Sequence, residues 1–230
     1  SSVSCGAGLA AIVTQQQAQT QVSVYDAYGN SLDVIAADDL LQQDCVMDAG
    51  MDANTLWVLT VNTSGAQIVS RIYLFNAQQQ AFMSRIDVQG QLIYDVAVNE
   101  KNVLAIGTQQ ILCYTDSGVR QWQSSVSGMY SVFTAQDAEA VSALLQYDGA
   151  SGCKWFYGAQ TYTLAQDADA VAVRGKNLYL LSGDTLMRCT AGNELKIRSD
   201  VLSQDYQALR TVGKRRVLLF DGAQWISRRA

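Results

Sequence analysis

An all-β fold assembled from one small sheet used repeatedly is what this sequence predicts, and three observations lead there. Short runs rich in β-branched and aromatic residues recur at 22–25 (VSVY), 55–61 (TLWVLTV), 71–75 (RIYLF), 102–106 (NVLAI), 178–181 (LYLL) and 216–220 (RVLLF). Each is closed by Gly, Asn or Asp, the residues that end strands and make turns. No window of about a dozen residues holds a convincing 3.6-residue apolar period, so helix is expected to be scarce. Finally, the runs repeat at intervals averaging ~40 residues, the period of a four-stranded antiparallel unit.

The clearest unit lies between residues 92 and 126. It reads as strand 93–98, turn 99–102, strand 103–106, strand 111–114, turn 115–118 and strand 120–123. A second copy occupies 168–201, with strands at 170–173, 178–181, 185–189 and 195–198. A small twisted sheet has two apolar faces and cannot bury either alone. Packing such sheets face to face around an axis buries both, which is the logic of a β-propeller. Dividing the chain by the ~40-residue period gives just under six repeats. The expectation is one propeller domain of six blades of four antiparallel strands, at about 1–40, 41–90, 91–126, 127–166, 167–201 and 202–230. The last blade is incomplete: after 206–209, 216–220 and 224–227 the sequence holds no fourth strand. Residues 1–5, or a segment upstream of them, are the candidates to complete it.

Composition bounds the rest. The 230 residues are 49% apolar and 16% charged, so a sizeable core is expected and disorder is excluded. No apolar run approaches the ~18 residues of a membrane helix. A net charge of −5 argues against a general nucleic-acid binder. The balance is uneven: residues 185–230 hold nine Lys/Arg against four Asp/Glu. This basic end suits a seam with the acidic remainder, or contact with an acidic polymer. Histidine is absent, which removes the usual general base, zinc ligand and pH switch, and rules out Ser-His-Asp and Cys-His nucleophile systems. Five cysteines, at 5, 45, 113, 153 and 189, show no CxxC spacing and read as mainly buried thiols. The chain starts at Ser1, so a processed or truncated product is expected, with any leader or anchor outside it.

The repeated turn of aromatic, Asp or Thr, two residues and Gly has its best copy in residues 113–118, followed by Gly118-Val-Arg-Gln-Trp122. It resembles the repeat of quinoprotein-like and WD-type propellers. The chain as a whole, with its start at Cys5-Gly-Ala-Gly-Leu-Ala-Ala11, is similar to membrane-anchored extracytoplasmic propellers of unknown function from Gram-positive gut anaerobes. The adjacent-cysteine pair of quinone-dependent dehydrogenases and the Gly-His and Trp-Asp dipeptides of WD repeats are absent. The resemblance therefore implies architecture and an extracytoplasmic, cell-surface location. It transfers no functional residue.

Gly6, Gly8 and Ala11 match a GxGxxA dinucleotide fingerprint, with Asp26 where a ribose-binding acid would sit. The mechanism needs a helix after the glycines, whereas 12–14 (IVT) suits a strand; a turn is the ordinary reading. Asp48, Asp52 and Asn54 fail as a calcium loop because Ala53 stands where Gly is required and Leu59 where the bidentate Glu belongs. Residues 149–153 (GASGC) miss GxSxG at the last position. Trp57, Trp122, Trp155 and Trp225 could stack on sugars, but lie at strand positions that favour the core. The remaining candidates are aspartates where one blade hands over to the next: Asp38, Asp39, Asp44, Asp167, Asp169, Asp200 and Asp205. Converging carboxylates there would bind Ca²⁺ or act as acid and base on a glycan; otherwise they are solvated turn residues.

The function expected is a non-catalytic recognition or scaffolding propeller that binds protein or cell-wall glycan through one loop face. It would act as a monomer, without cofactor, metal or nucleic acid, and reach the membrane only through an anchor outside this chain. The alternative is a glycan-active enzyme or calcium-dependent lectin using the acidic inter-blade loops.

Overall fold

The computed structural model describes residues 2–6, 8–16, 19–32, 44–126, 128–136, 140–147, 152–212 and 216–229. Among them all regular structure is strand, arranged as six antiparallel sheets in which strands adjacent in sequence are adjacent in space. Contacts divide the chain into two compact units, Ser1–Val126 and Ser127–Ala230.

The first unit holds three four-stranded sheets. Sheet I comprises β1 (Ser2–Gly6), β2 (Leu9–Gln16), β3 (Gln19–Asp26) and the short β4 (Ser31–Leu32). Sheet II comprises β5 (Cys45–Asp52), β6 (Thr55–Asn62), β7 (Val69–Asn76) and β8 (Ala81–Gln89). Sheet III comprises β9 (Ile93–Val98), β10 (Asn102–Gly107), β11 (Gln110–Thr115) and β12 (Arg120–Ser125). Sheet II shows why the apolar runs are continuous rather than alternating. Leu56, Val58, Tyr73 and Phe75 point one way and pack with Ala11, Val13 and Val24 of sheet I. Trp57, Leu59, Ile72 and Leu74 point the other way and pack with Ile93, Val96, Val103 and Leu112 of sheet III. A strand covered on both faces needs apolar residues at every position.

The second unit repeats the scheme. Sheet IV comprises β13 (Met129–Gln136), β14 (Val141–Tyr147), β15 (Cys153–Tyr157) and β16 (Gln160–Leu164). Sheet V comprises β17 (Ala170–Arg174), β18 (Asn177–Ser182), β19 (Thr185–Thr190) and β20 (Lys196–Val201). Sheet VI has three strands, β21 (Ala208–Val212), β22 (Arg216–Phe220) and β23 (Trp225–Arg229). Leu144, Cys153 and Trp155 pack against Leu178, Leu180, Met187 and Cys189. On the opposite face of sheet V, Tyr179, Leu181 and Leu186 pack against Leu209, Val217 and Leu219.

Buried polar groups tie successive sheets together through the backbone. Ser4 Oγ accepts from Met51 N at 2.9 Å, and Ser70 Oγ accepts from Ile93 N at 2.9 Å while donating to Gln91 O. Gln146 Oε1 accepts from Ala168 N at 3.1 Å. Ser70 and Gln146 satisfy amides where the chain passes from one sheet to the next, and Ser4 satisfies one near the hairpin end of β5.

Several sequence expectations resolve here. Gly8 has φ +79° and lies between β1 and β2, so the Gly6–Gly8 segment is a hairpin connection followed by a strand, not a phosphate loop followed by a helix. Ser2–Gly6 pairs with β2 in sheet I, so these residues do not complete sheet VI. Trp57 and Trp155 are buried as expected of core residues, whereas Trp225 is 43% exposed. Most of the GASGC segment lies outside the described residues.

Gly152 carries the tightest backbone constraint. Its φ is +92°, and a Cβ would sit 2.3 Å from the Leu164 carbonyl oxygen, which belongs to a paired strand. Gly128, at φ +67°, has nothing within 4 Å of the same position. Gly128→Ala should cost about 1 kcal/mol and Gly152→Ala roughly 3 kcal/mol or more, because the second adds a rigid clash to the left-handed strain. Urea denaturation of the two variants checks the order.

Candidate functional site

The handover segments place the predicted aspartates in distinct environments. Asp38 and Asp39 lie outside the described residues. Asp44, just before β5, has a side chain only 2% exposed. It accepts from Thr60 Oγ1 at 2.9 Å, Asn62 Nδ2 at 2.9 Å and Tyr73 Oη at 3.2 Å, and pairs with the Arg71 guanidinium. Arg71 Nε also approaches Asp87 at 3.7 Å, and Asp87 pairs with Arg85 at 2.9 Å, so alternating charges run across sheet II. The donors come from alternate positions of β6 and β7, which brings Thr60, Asn62, Arg71 and Tyr73 to one end of one sheet face.

In the second unit, Asp167 accepts from Gly152 N at 2.8 Å and Asp169 from Gly183 N at 2.7 Å. These two carboxylates, two residues apart, are turned to turns of different sheets. Asp200 is exposed on β20 and lines a pocket of about 180 Å³ with Leu186, Arg188 and Arg198. Asp205 is exposed between β20 and β21. No group of three or more His, Cys, Asp or Glu among the described residues is arranged to hold a metal ion. The described aspartates thus serve mainly as internal acceptors.

Burial pushes the Asp44 carboxyl upward, but the hydrogen bonds from Arg71, Asn62 and Thr60, together with the Arg71 charge, outweigh it and hold the group below the ordinary carboxylate value. Burial and the neighbouring Asp44 charge push the Tyr73 phenol up. Both groups therefore keep their ordinary neutral-pH forms, and neither is poised to exchange a proton there.

The same handover ends carry a feature absent from the sequence reading. β5 has a bulge between Val46 and Asp48, leaving Met47 without a cross-strand partner on β6. β9 has a bulge at Tyr94, where the register steps from Gly107 opposite Ile93 to Ile106 opposite Asp95. β13 shows the same register shift, between Met129 and Ser131. A bulge adds one residue to one strand and re-aims its side chain. Met47 is 50% exposed and Tyr94 38%, although β9 is otherwise largely buried and β5 is buried at Ala49, Gly50 and Met51. The aspartate after each accepts from the next amide, Asp48 Oδ1 from Ala49 N and Asp95 Oδ1 from Val96 N, both at 2.8 Å. The recurring pattern is an exposed apolar or aromatic residue held next to a capped aspartate. Its trace in the sequence is Met47-Asp48-Ala49 and Tyr94-Asp95-Val96.

None of the five cysteines is in a disulfide. Burial pushes Cys113 and Cys189 up to about 11 and Cys153 to about 12, which removes them as nucleophiles near neutral pH. Cys5 and Cys45 are exposed.

Six successive antiparallel sheets, the last of three strands, define a β-propeller, and solved structures agree. The chain is similar over 98% of its length to the WD40 domain of SCAP from fission yeast, with TM-score 0.61, 10% identity and 64% of that chain covered. It is also similar to a prolyl endopeptidase, with TM-score 0.63, 10% identity, and 98% of this chain and 41% of that one covered. For the β-propeller domain of the Trilobed protease from Pyrococcus furiosus the TM-score is 0.53 at 8% identity, with 96% and 77% covered. The chain thus spans less than two thirds of the first two. Such identities establish the fold alone. No curated protein matches the sequence. Residues 2–151 match a family of unknown function, DUF5711, and the chain belongs to that family.

Asp44→Asn should destabilise the protein by about 3 kcal/mol, because it removes the nearer of the two carboxylates beside Arg71 and leaves only Asp87 at 3.7 Å. The Asp44 carboxyl is depressed in the folded state, so its contribution is complete above the unfolded value and is lost as pH falls through the folded one. Denaturation followed from pH 6 down to pH 2 (roughly the window set by a depressed carboxylate) should show an acid limb for the parent that is shallower in the variant. A thiol reagent such as Ellman's reagent should modify Cys5 and Cys45 quickly in the native protein, and Cys113, Cys153 and Cys189 only after denaturation.

Proposed function

We propose that this propeller is a non-catalytic recognition module that binds another protein through the loop face at the start of its first strands, and that it works outside the cytoplasm at the cell surface. One observation carries the binding role: Met47 and Tyr94 are held in solvent at equivalent bulges of successive sheets. Leaving apolar side chains exposed gains the isolated domain nothing. Flexible Met and amphipathic Tyr are the residue types that anchor protein contacts. The bulges and capped aspartates set these side chains on rigid elements, which lowers the ordering cost of binding. Support for the location comes from the resemblance of the start and repeats to extracytoplasmic propellers.

The glycan-enzyme or calcium-lectin alternative would need carboxylates that converge. Asp44, Asp167 and Asp169 instead accept from Arg71, Gly152 and Gly183, and Asp200 and Asp205 stand exposed.

A photo-crosslinking amino acid at position 94 or 47 of the protein expressed in its host should yield discrete protein adducts. The same group at Val119, which is 63% exposed but lies in the turn before β12, should yield none. Equal labelling at all three positions, or none at 47 and 94, would reject the face. Protease added to intact cells should digest the chain if the location is right. Chelator should leave the melting temperature unchanged, whereas a drop of several degrees would favour the calcium reading.

A further inference from the structure

The end of sheets II and III that carries Met47 and Tyr94 is held rigidly. The link from β8 to β9 is clamped from both sides. Toward sheet II, Gly90 N donates to Ile68 O at 2.9 Å in the β6–β7 loop, and Ser70 Oγ accepts from Ile93 N. Toward sheet III, the buried Gln91 side chain accepts through Oε1 from Gln109 N at 3.3 Å and Gln110 N at 3.1 Å, and Thr108 N donates to Leu92 O at 3.0 Å. The fit leaves no slack: a Cβ on Gly107 would lie 2.9 Å from Ile93 Cδ1. Tyr94 therefore projects from a backbone fixed before any partner arrives, which lowers the ordering cost of contact. Ile68, in the loop bonded to this link, is a third exposed apolar side chain at the same end.

Charge at this end is of one sign. Asp48 and Asp95 follow the two re-aimed residues directly, and both are half-buried. Each accepts from its own following amide, a bond that fixes the carboxylate beside the exposed side chain and leaves its negative charge in place. The cations of the two sheets are placed elsewhere. Arg71 and Arg85 are paired with Asp44 and Asp87. Lys101 lies in the β9–β10 turn, roughly 20 Å along the strand from Asp95 at ~3.3 Å per residue. Arg120 opposes Tyr114, which opposes Val103, and so lies at that same far end. Over Ser1–Val126 the sequence holds eleven Asp and Glu against four Lys and Arg, a balance of −7.

We infer that the partner segment taken by this face is basic, with Lys or Arg interspersed among apolar residues. Its cations approach Asp48 and Asp95, and a cation over the Tyr94 ring is attracted by the ring as well as by the carboxylate beside it. The stem of a Lys or Arg covers Met47 while its head reaches Asp48, and apolar neighbours cover Ile68. An acidic segment is repelled here. A wholly apolar one strips water from two carboxylates and returns nothing for it. This inference rests on the protein-binding reading of the face and adds the charge of the partner to it.

The probe is a fluorescein-labelled peptide alternating Lys with Val, titrated with the full chain and followed by fluorescence anisotropy; the same peptide with Glu in place of Lys is its control. The basic peptide should bind the parent protein tighter by about tenfold or more, and more weakly as salt is raised. Asp48→Asn combined with Asp95→Asn keeps an acceptor for each following amide and should weaken that binding by about tenfold or more. Glu100→Gln combined with Asp116→Asn removes the same charge at the far end of sheet III and should change it by less than about twofold. Equal affinity for the two peptides, or equal losses in the two double variants, would overturn the assignment. The yield of protein adducts from a photo-crosslinker at position 94 in the host should fall in the Asp48→Asn/Asp95→Asn background. Undiminished adducts would overturn the basic partner and leave the face standing, whereas no adducts even in the parent background would remove the face and this inference with it.

Discussion

Sheets II and V each have two apolar faces and too few strands to hide either, and most of the architecture follows from that constraint. A two-faced sheet of four short strands is not stable in water alone. Stacking lets one sheet serve two neighbours, as sheet II does when Leu56 and Val58 face sheet I while Trp57 and Leu59 face sheet III. Filling each face also sets demands within a sheet. A Cβ on Gly50 would lie 2.5 Å from the Trp57 ring, so the indole occupies the space that glycine leaves on the neighbouring strand. Stacking also creates a difficulty. The chain must pass from an outer strand to the next inner strand, and its amides there leave the ladder. Ser70 and Gln146 are buried polar residues in largely apolar strands because they meet those amides.

The same constraint sorts polar groups into internal and external duty. Asp44 sits where the chain enters sheet II, and four side chains of β6 and β7 converge on it. A buried carboxylate with four donors is a fastening, and a ligand would have to displace those donors to reach it. Asp167 and Asp169 are committed in the same way to Gly152 and Gly183. On the proposed reading, what remains for recognition is what the bulges push outward. Met47 and Tyr94 stand in solvent beside aspartates that accept from the following amide, so the exposed side chain and its backbone are held together.

The fold was legible because burial on both faces leaves a strong mark. Runs such as 55–61 and 102–106 are apolar at consecutive positions over strand length, and Asn, Asp and Gly punctuate them. The Leu92–Val126 unit could be divided into strands β9 to β12 because Thr115 and Gly118 make a turn with its own chemistry: Gly118 has φ +85°, and Thr115 Oγ1 accepts from Val119 N. The candidate site was less legible. An aspartate before a strand looks the same whether it is solvated or buried, and the partners that decide the matter for Asp44 lie 16 to 29 residues away. Their signal was present in Thr60, Asn62 and Arg71, polar residues at alternating strand positions that a solvent-facing edge does not explain. A bulge leaves even less trace, since one extra residue disturbs the register without altering composition. Trp225 went the other way: its strand pattern suggests core, yet it rests between Phe220 and Arg210 and stays 43% exposed.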